Sequence, residues 1–298
     1  MSYKSRCTVA LLLTIALAAC SGKNAEADEH TGHDSAPAAS ATASTDSTLA
    51  PSAANARQRL EASPRHGEWA MIPAGAGDSV RAWVVYPERS DKAPVVLVVH
   101  EIFGLSTWIR SVADQLAADG FIAIAPDLLT GKYAMRSPND TLSSDSAVAL
   151  IRTLDQADVQ RRLAAVARYG MALPSAQQHY GIVGFCWGGS VSFAHAIAGT
   201  PELGAAVVYY GTPPAADQLT KVHAPVLGLY GGNDARVSST VPVTDSAMKA
   251  LGKGYEHFIF EGAGHGFLRA QDGQDGANEA AANQAWPKTV AWFREYLR

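Results

Sequence analysis

The sequence predicts an α/β domain built on a doubly wound, mostly parallel sheet with helices on both faces. Short β-rich runs alternate with helical patterns from residue 80 to the end of the chain. Residues 95–99 are uniformly apolar, as a strand buried on both faces must be. The 298 residues are 47% hydrophobic and 17% charged, a globular composition long enough for one large domain.

Taken in order, residues 80–86 and 95–99 read as strands. Helical spacing over 108–119 stops at Gly120, 121–125 is a strand, and 148–169 is mostly helical. Residues 181–184 end a strand, 190–198 form a small-residue helix, and 205–210 and 226–230 are strands. Residues 244–251 are helical, 257–260 form a strand, and 278–297 close the chain as a helix that Pro287 should kink. No internal repeat is present, and a single domain over 65–298 accounts for the pattern.

The first residues read as a targeting segment. Lys4 and Arg6 precede an apolar run over 8–19 that is too short to cross a bilayer comfortably, so 1–19 reads as a signal peptide. The run ends Leu17-Ala18-Ala19-Cys20, which resembles a bacterial lipobox. That resemblance implies cleavage before Cys20, lipidation of its thiol and amino group, and a periplasm-facing, membrane-anchored lipoprotein of the cell envelope. The plainer alternative is an ordinary secretory signal. Loss of Lys4 and Arg6 takes the formal charge from −4 to −6, so a lipid, not electrostatic attraction, would hold the chain at the membrane. Residues 20–64 read as an Ala/Ser/Thr-rich disordered tether with too few large apolar groups to offset ordering entropy. Asp28, His30, His33 and Asp34 within it are a solvated polar run before they are a metal site.

Acids and bases are mixed along the chain, which argues against a nucleic-acid partner. The three cysteines, Cys7, Cys20 and Cys186, sit in unrelated contexts and form no disulfide framework or metal cluster. No cofactor or metal is expected. The partner is a small-molecule substrate, and a monomer is favoured.

The chemistry concentrates in Gly184-Phe185-Cys186-Trp187-Gly188-Gly189. The segment follows a strand and opens a helix, and its glycines permit a sharp strand-to-helix turn. This is a nucleophile elbow with Cys where Ser usually stands. A helix N-terminus should also favour the thiolate. The bland alternative is an inert buried Cys beside a tight turn. Asp234, after Tyr230-Gly231-Gly232-Asn233, and His265, within Gly262-Ala263-Gly264-His265-Gly266-Phe267, each follow a strand. Nucleophile, acid, then histidine is the chain order of the α/β-hydrolase fold. Read singly, Asp234 is a turn residue and His265 a loop residue; together they point to a Cys186–His265–Asp234 triad. Glu101 ends the buried strand 95–99 on the same sheet edge and is a supporting candidate. His66, His179, His195, His223 and His257 lack such a setting.

With Glu101-Ile102-Phe103-Gly104, the Cys elbow, Tyr209-Tyr210-Gly211, Asp234 and Gly264-His265-Gly266-Phe267, residues 70–298 resemble the dienelactone hydrolase (carboxymethylenebutenolidase) family. The resemblance implies that Cys186 attacks a carbonyl, His265 shuttles protons and Asp234 orients the imidazole. Glu101 would meet the resting thiol and help activate it when substrate arrives. Backbone N–H groups of Ile102 and Trp187 would form the oxyanion hole, and Arg269 would hold a substrate carboxylate. The family's second carboxylate-binding arginine has no counterpart in register: that position falls near Ser144, and neither Arg136 nor Arg152 matches.

A thiolate leaves more readily than an alkoxide, so a cysteine nucleophile suits activated esters and lactones whose departing oxygen is already stabilised. The expectation is therefore a carboxylic ester hydrolase acting through a thioester. The alternatives are a catalytically silent small-molecule binding protein of the same fold, a structural envelope protein, and a peptidase.

Overall fold

A computed structural model describes residues 48–75, 77–134 and 142–298. Eight strands form one sheet in the order β1-β2-β4-β3-β5-β6-β7-β8. They are β1 (Gly67–Gly75), β2 (Asp78–Val85), β3 (Ala93–Val99), β4 (Ile122–Pro126), β5 (Ala176–Phe185), β6 (Leu203–Tyr209), β7 (Val226–Gly231) and β8 (Tyr255–Phe260). β1 and β2 are antiparallel to each other, and β2 is antiparallel to β4; every pairing from β4 through β8 is parallel. The helices are α1 (Ala56–Glu61), α2 (Thr107–Ala118), α3 (Ser144–Ile151), α4 (Gln156–Met171), α5 (Trp187–Ala198), α6 (Ala235–Ser238), α7 (Val241–Ala250) and α8 (Ala277–Tyr296). The predicted class holds: a mostly parallel sheet covered on both faces.

Alternation along the strands feeds two cores. Val96, Val98, Val183 and Val207 face Trp108, Trp286 and Phe293 on one side. Val95, Leu97, Ile182 and Val208 face Leu163, Val166 and Phe193 on the other. All seven residues of β3 are buried, which is why its sequence shows no polar alternation.

Two elements differ from the expected pattern. The helical run over 148–169 divides into α3 and α4, because the Asp155 side chain accepts from the Asp158 N–H at 2.9 Å and caps a new helix. β1 went unforeseen, because Gly67, Pro73 and Gly75 punctuate an edge strand. α8 runs from Ala277 to Tyr296 with Pro287 inside it, matching the helix expected over 278–297.

The expected tether also ends earlier than residue 64. Ala50 and Ala56 are buried in the core. The Trp108 indole N–H donates to Pro51 O at 2.8 Å, Ala53 N–H to Arg269 O at 2.8 Å, and Gln271 Nε2 to Ala50 O at 3.1 Å. Arg65 pairs with Asp114, whose Oδ1 also accepts from Ser63 Oγ at 2.6 Å. Backbone groups make most of these contacts, so a segment poor in large apolar residues packs all the same. Residues 1–47, including Cys7, Cys20 and the run with Asp28, His30, His33 and Asp34, lie outside the described residues. Among those described, no helix is long and apolar enough to cross a membrane.

Losing 48–64 strands the buried Trp108 N–H and uncovers apolar surface, a cost of at least about 2 kcal/mol. In a calorimetric comparison, a chain beginning at Arg65 should melt at least about 4 °C below one beginning at Thr48. Equal melting temperatures would show that the segment adds nothing to the fold.

Candidate active site

Cys186 stands between β5 and α5 with φ 55° and ψ −116°, a left-handed setting that costs a non-glycine residue about 1–3 kcal/mol. The neighbouring glycines explain how the chain tolerates it. A Cβ on Gly184 would lie 2.0 Å from Gly188 O, one on Gly188 2.4 Å from His100 O, and one on Gly189 2.5 Å from Tyr209 O. The strand end, the helix start and two neighbouring strand ends therefore touch backbone to backbone. Cys186 N–H donates to Tyr209 O at 3.1 Å and locks the turn.

The acid and the histidine arrive from the next two strands. Beyond β7, Asp234 is 7% exposed and leads into α6. Beyond β8, the loop 262–266 carries His265, with Gly262 at φ 73° and Gly266 at φ 76°. Asn233 joins the two loops, its N–H donating to Ala263 O and its Nδ2 to Gly262 O, both at 2.9 Å. His265 Nδ1–H donates to Asp234 Oδ2 at 2.5 Å. This contact fixes the tautomer and leaves Nε2 free for chemistry. The Tyr210 ring meets the imidazole edge-on at 5.1 Å, and Tyr210 itself is held at φ 40°.

Glu101, Cys186, His265 and Arg269 all line one cavity of about 650 Å³, whose walls include Ile102, Phe103, Trp187 and Tyr210. The backbone N–H groups of Ile102 and Trp187 both turn to the Cys186 sulfur. Among the described residues the thiol makes no hydrogen bond to His265; it rests where the oxyanion hole was expected. The helix N-terminus was expected to draw the thiol toward ionisation. Instead burial pushes its pKa up, outweighing those two N–H groups, and the charge of Glu101 adds to the rise.

Glu101 is only 3% exposed. Burial raises its carboxyl pKa to about 7, and Arg269 opposes the rise. Arg269 Nε lies 2.9 Å from Glu101 Oε1, but its N–H points off the line to the oxygen, so the contact is an ion pair without a good hydrogen bond. The guanidinium also lies 5.0 Å from the centre of the Phe103 ring. The residue expected to hold a substrate carboxylate thus sits in the cavity already paired with Glu101.

Arg236, which the motifs did not single out, is exposed at the cavity wall with no ion-pair partner among the described residues; its charge acts to lower the Cys186 pKa. Ser144 opens α3 and Arg152 is its exposed C-cap, and neither lines the cavity. Among the described residues no cluster of His, Cys, Asp and Glu is arranged to hold a metal.

The profile of the dienelactone hydrolase family matches residues 80–297. The chain belongs to that family. Over 233 residues this family member is 34% identical to a carboxymethylenebutenolidase homologue of Salmonella typhimurium, covering 74% of this chain and 84% of the relative. A dienelactone hydrolase homologue of Klebsiella pneumoniae superposes with a TM-score of 0.67 at 31% identity, covering 78% of this chain and 99% of the other. The dienelactone hydrolase of Anabaena variabilis, 24% identical, shares the fold with a TM-score of 0.60 over 78% of this chain and 99% of its own. The chain is accordingly an enzyme of the carboxylic ester hydrolase class, with an α/β-hydrolase fold.

The buried carboxyl gives stability a measurable pH dependence. A folded pKa of about 7, above the ordinary value of 4.5, stabilises the fold fully below about pH 4.5; that contribution is lost as pH rises through 7. The shift is worth roughly 3 kcal/mol. Urea melts of Glu101→Gln and the unaltered protein should therefore diverge in the variant's favour by about that amount between pH 4.5 and 8. A gap that stays constant would mean that Glu101 titrates normally.

Proposed function

We propose that the enzyme hydrolyses activated esters or lactones through a thioester on Cys186, with His265 and Asp234 completing the triad. The observation that carries this reading is the imidazole, bonded to a buried carboxylate at 2.5 Å and opening onto the cavity that holds the strained cysteine.

The resting thiol is protonated and needs a base. Glu101, with a pKa of about 7, accepts its proton at neutral pH, and the thiolate turns out of the Ile102–Trp187 donor pair toward the substrate. Sulfur bonds to the carbonyl carbon, and the oxyanion takes the place between those N–H groups that the sulfur has left. Collapse expels the stabilised alkoxide or enolate, which takes the proton held by Glu101. Water then gives a proton to His265 Nε2 and attacks the thioester, and the departing thiolate takes that proton to restore the thiol. Arg269 links binding to activation: a substrate carboxylate that draws its guanidinium away frees Glu101 to act as base.

In an assay with 4-nitrophenyl acetate, Cys186→Ala should abolish turnover. Activity should rise across pH 7 as Glu101 ionises, and Glu101→Gln should remove that limb. Arg269→Ala should impair lactones that carry a carboxylate while sparing those that lack one. Turnover that survives Cys186→Ala would end this proposal, and equal losses on both lactones would end the role given to Arg269.

For the N-terminal sequence, we propose lipidation of Cys20 and a periplasm-facing, membrane-anchored monomer. The support is the lipobox-like run alone. Mass spectrometry of the mature N-terminus should find a diacylglyceryl thioether there; a soluble, unmodified chain cut elsewhere would overturn the assignment.

A further inference from the structure

His100 touches both sides of the expected oxyanion hole, the Glu101 carbonyl and the Trp187 ring, and belongs to neither the triad nor its carboxylate partner. It is completely buried where β3 ends. Leu128 N–H donates to its Nε2 at 3.3 Å. That nitrogen therefore carries no hydrogen, and the proton sits on Nδ1, which donates to Glu101 O at 2.8 Å. Burial lowers the imidazole pKa and so keeps this tautomer neutral.

The acceptor is the informative part. Glu101 C=O and Ile102 N–H are two ends of one planar peptide group, so whatever holds the carbonyl aims the N–H. Gly104 N–H reaches the same oxygen at 3.2 Å, so the carbonyl has two donors. Each donor polarises the amide and strengthens its N–H toward an anion. On its other side the imidazole stacks on the Trp187 ring, with centroids 5.5 Å apart and planes inclined by 24°. Trp187 supplies the second N–H that faces the sulfur. The start of α5 is also wedged on the backbone of this strand end, where a Cβ on Gly188 would lie 2.4 Å from His100 O.

We propose that His100 is a positioning residue for the oxyanion hole: its Nδ1–H orients and polarises the Glu101–Ile102 peptide, and its ring face supports Trp187. It touches no reacting atom. This inference rests on the hydrolase reading above, in which the Ile102 and Trp187 N–H groups receive the oxyanion. That reading is checked first in the same assay, by the loss of turnover in Cys186→Ala.

The test compares two reactions of the same sulfur. Ester hydrolysis forms an oxyanion. Alkylation of Cys186 by iodoacetamide forms none, and its plateau rate at high pH no longer depends on the ionised fraction and varies only weakly with the thiol pKa. His100→Phe keeps an aromatic ring against Trp187 but removes the Nδ1–H. It should lower kcat for 4-nitrophenyl acetate by about 10- to 100-fold, short of the full effect of deleting a donor. KM and the plateau alkylation rate should stay within about threefold. His100→Asn places an amide N–H near the Nδ1 position and should restore most of kcat, whereas His100→Gln places it near Nε2 and should not. A kcat for His100→Phe within threefold of the unaltered enzyme would overturn the proposal, as would a matching fall in alkylation. Should the Phe variant fail to fold, the other two decide: Asn must exceed Gln in kcat by about tenfold, and parity overturns the assignment.

Discussion

The site depends on how closely the backbone approaches itself around Cys186. β5 can hand over to α5 within one residue only because nothing protrudes at Gly184, Gly188 and Gly189. Three strand ends and a helix start then share a space that a single methyl group would fill. The strain at Cys186 is borne by this packing and by the hydrogen bond to Tyr209 O. In return, the sulfur is presented at the mouth of the sheet with two backbone N–H groups beside it. A sulfur on an ordinary helix or strand would have a softer, less directed setting.

Around that turn, charge is arranged to wait. The thiol is held protonated by burial, the carboxyl of Glu101 is raised to about 7, and Arg269 leans on it without a well-formed hydrogen bond. None of these groups is at rest in its most stable solvated form. The His265–Asp234 pair is the opposite case: it is short and fully oriented. One half of the site is thus poised for rearrangement and the other is preorganised. Neutral His100 sits beneath the poised half, where burial keeps it uncharged and its hydrogen bonds to Leu128 and Glu101 fix one tautomer.

Much of this could be read from the chain because the decisive features are local. The glycine patterns around Cys186, Asp234 and His265 encode sharp turns within six residues each, and the apolar runs before them encode buried strands. What stayed hidden depends on pairings between distant segments. Nothing near Arg269 signals that Glu101 will meet it, and nothing near Pro51 signals that its carbonyl will receive the Trp108 indole. Composition misjudged residues 48–64 for the same reason: they dock largely through backbone atoms and small or polar side chains, which a count of large apolar residues does not register. The thiol pKa was misjudged because a helix N-terminus is visible in sequence, whereas the depth of burial that outweighs it is not. Arg236 gave no signal, as a lone exposed arginine belongs to no motif.

The hydrogen bond from Ala53 to Arg269 O, with that from Gln271 to Ala50 O, brings the leading segment of the fold against the loop that follows His265. The front of this domain is therefore no interchangeable handle. Replacing the chain up to and including Ala50 or Ala53 would remove a brace from the loop that follows His265. The folded domain thus begins at least as early as Ala50, well before the first strand.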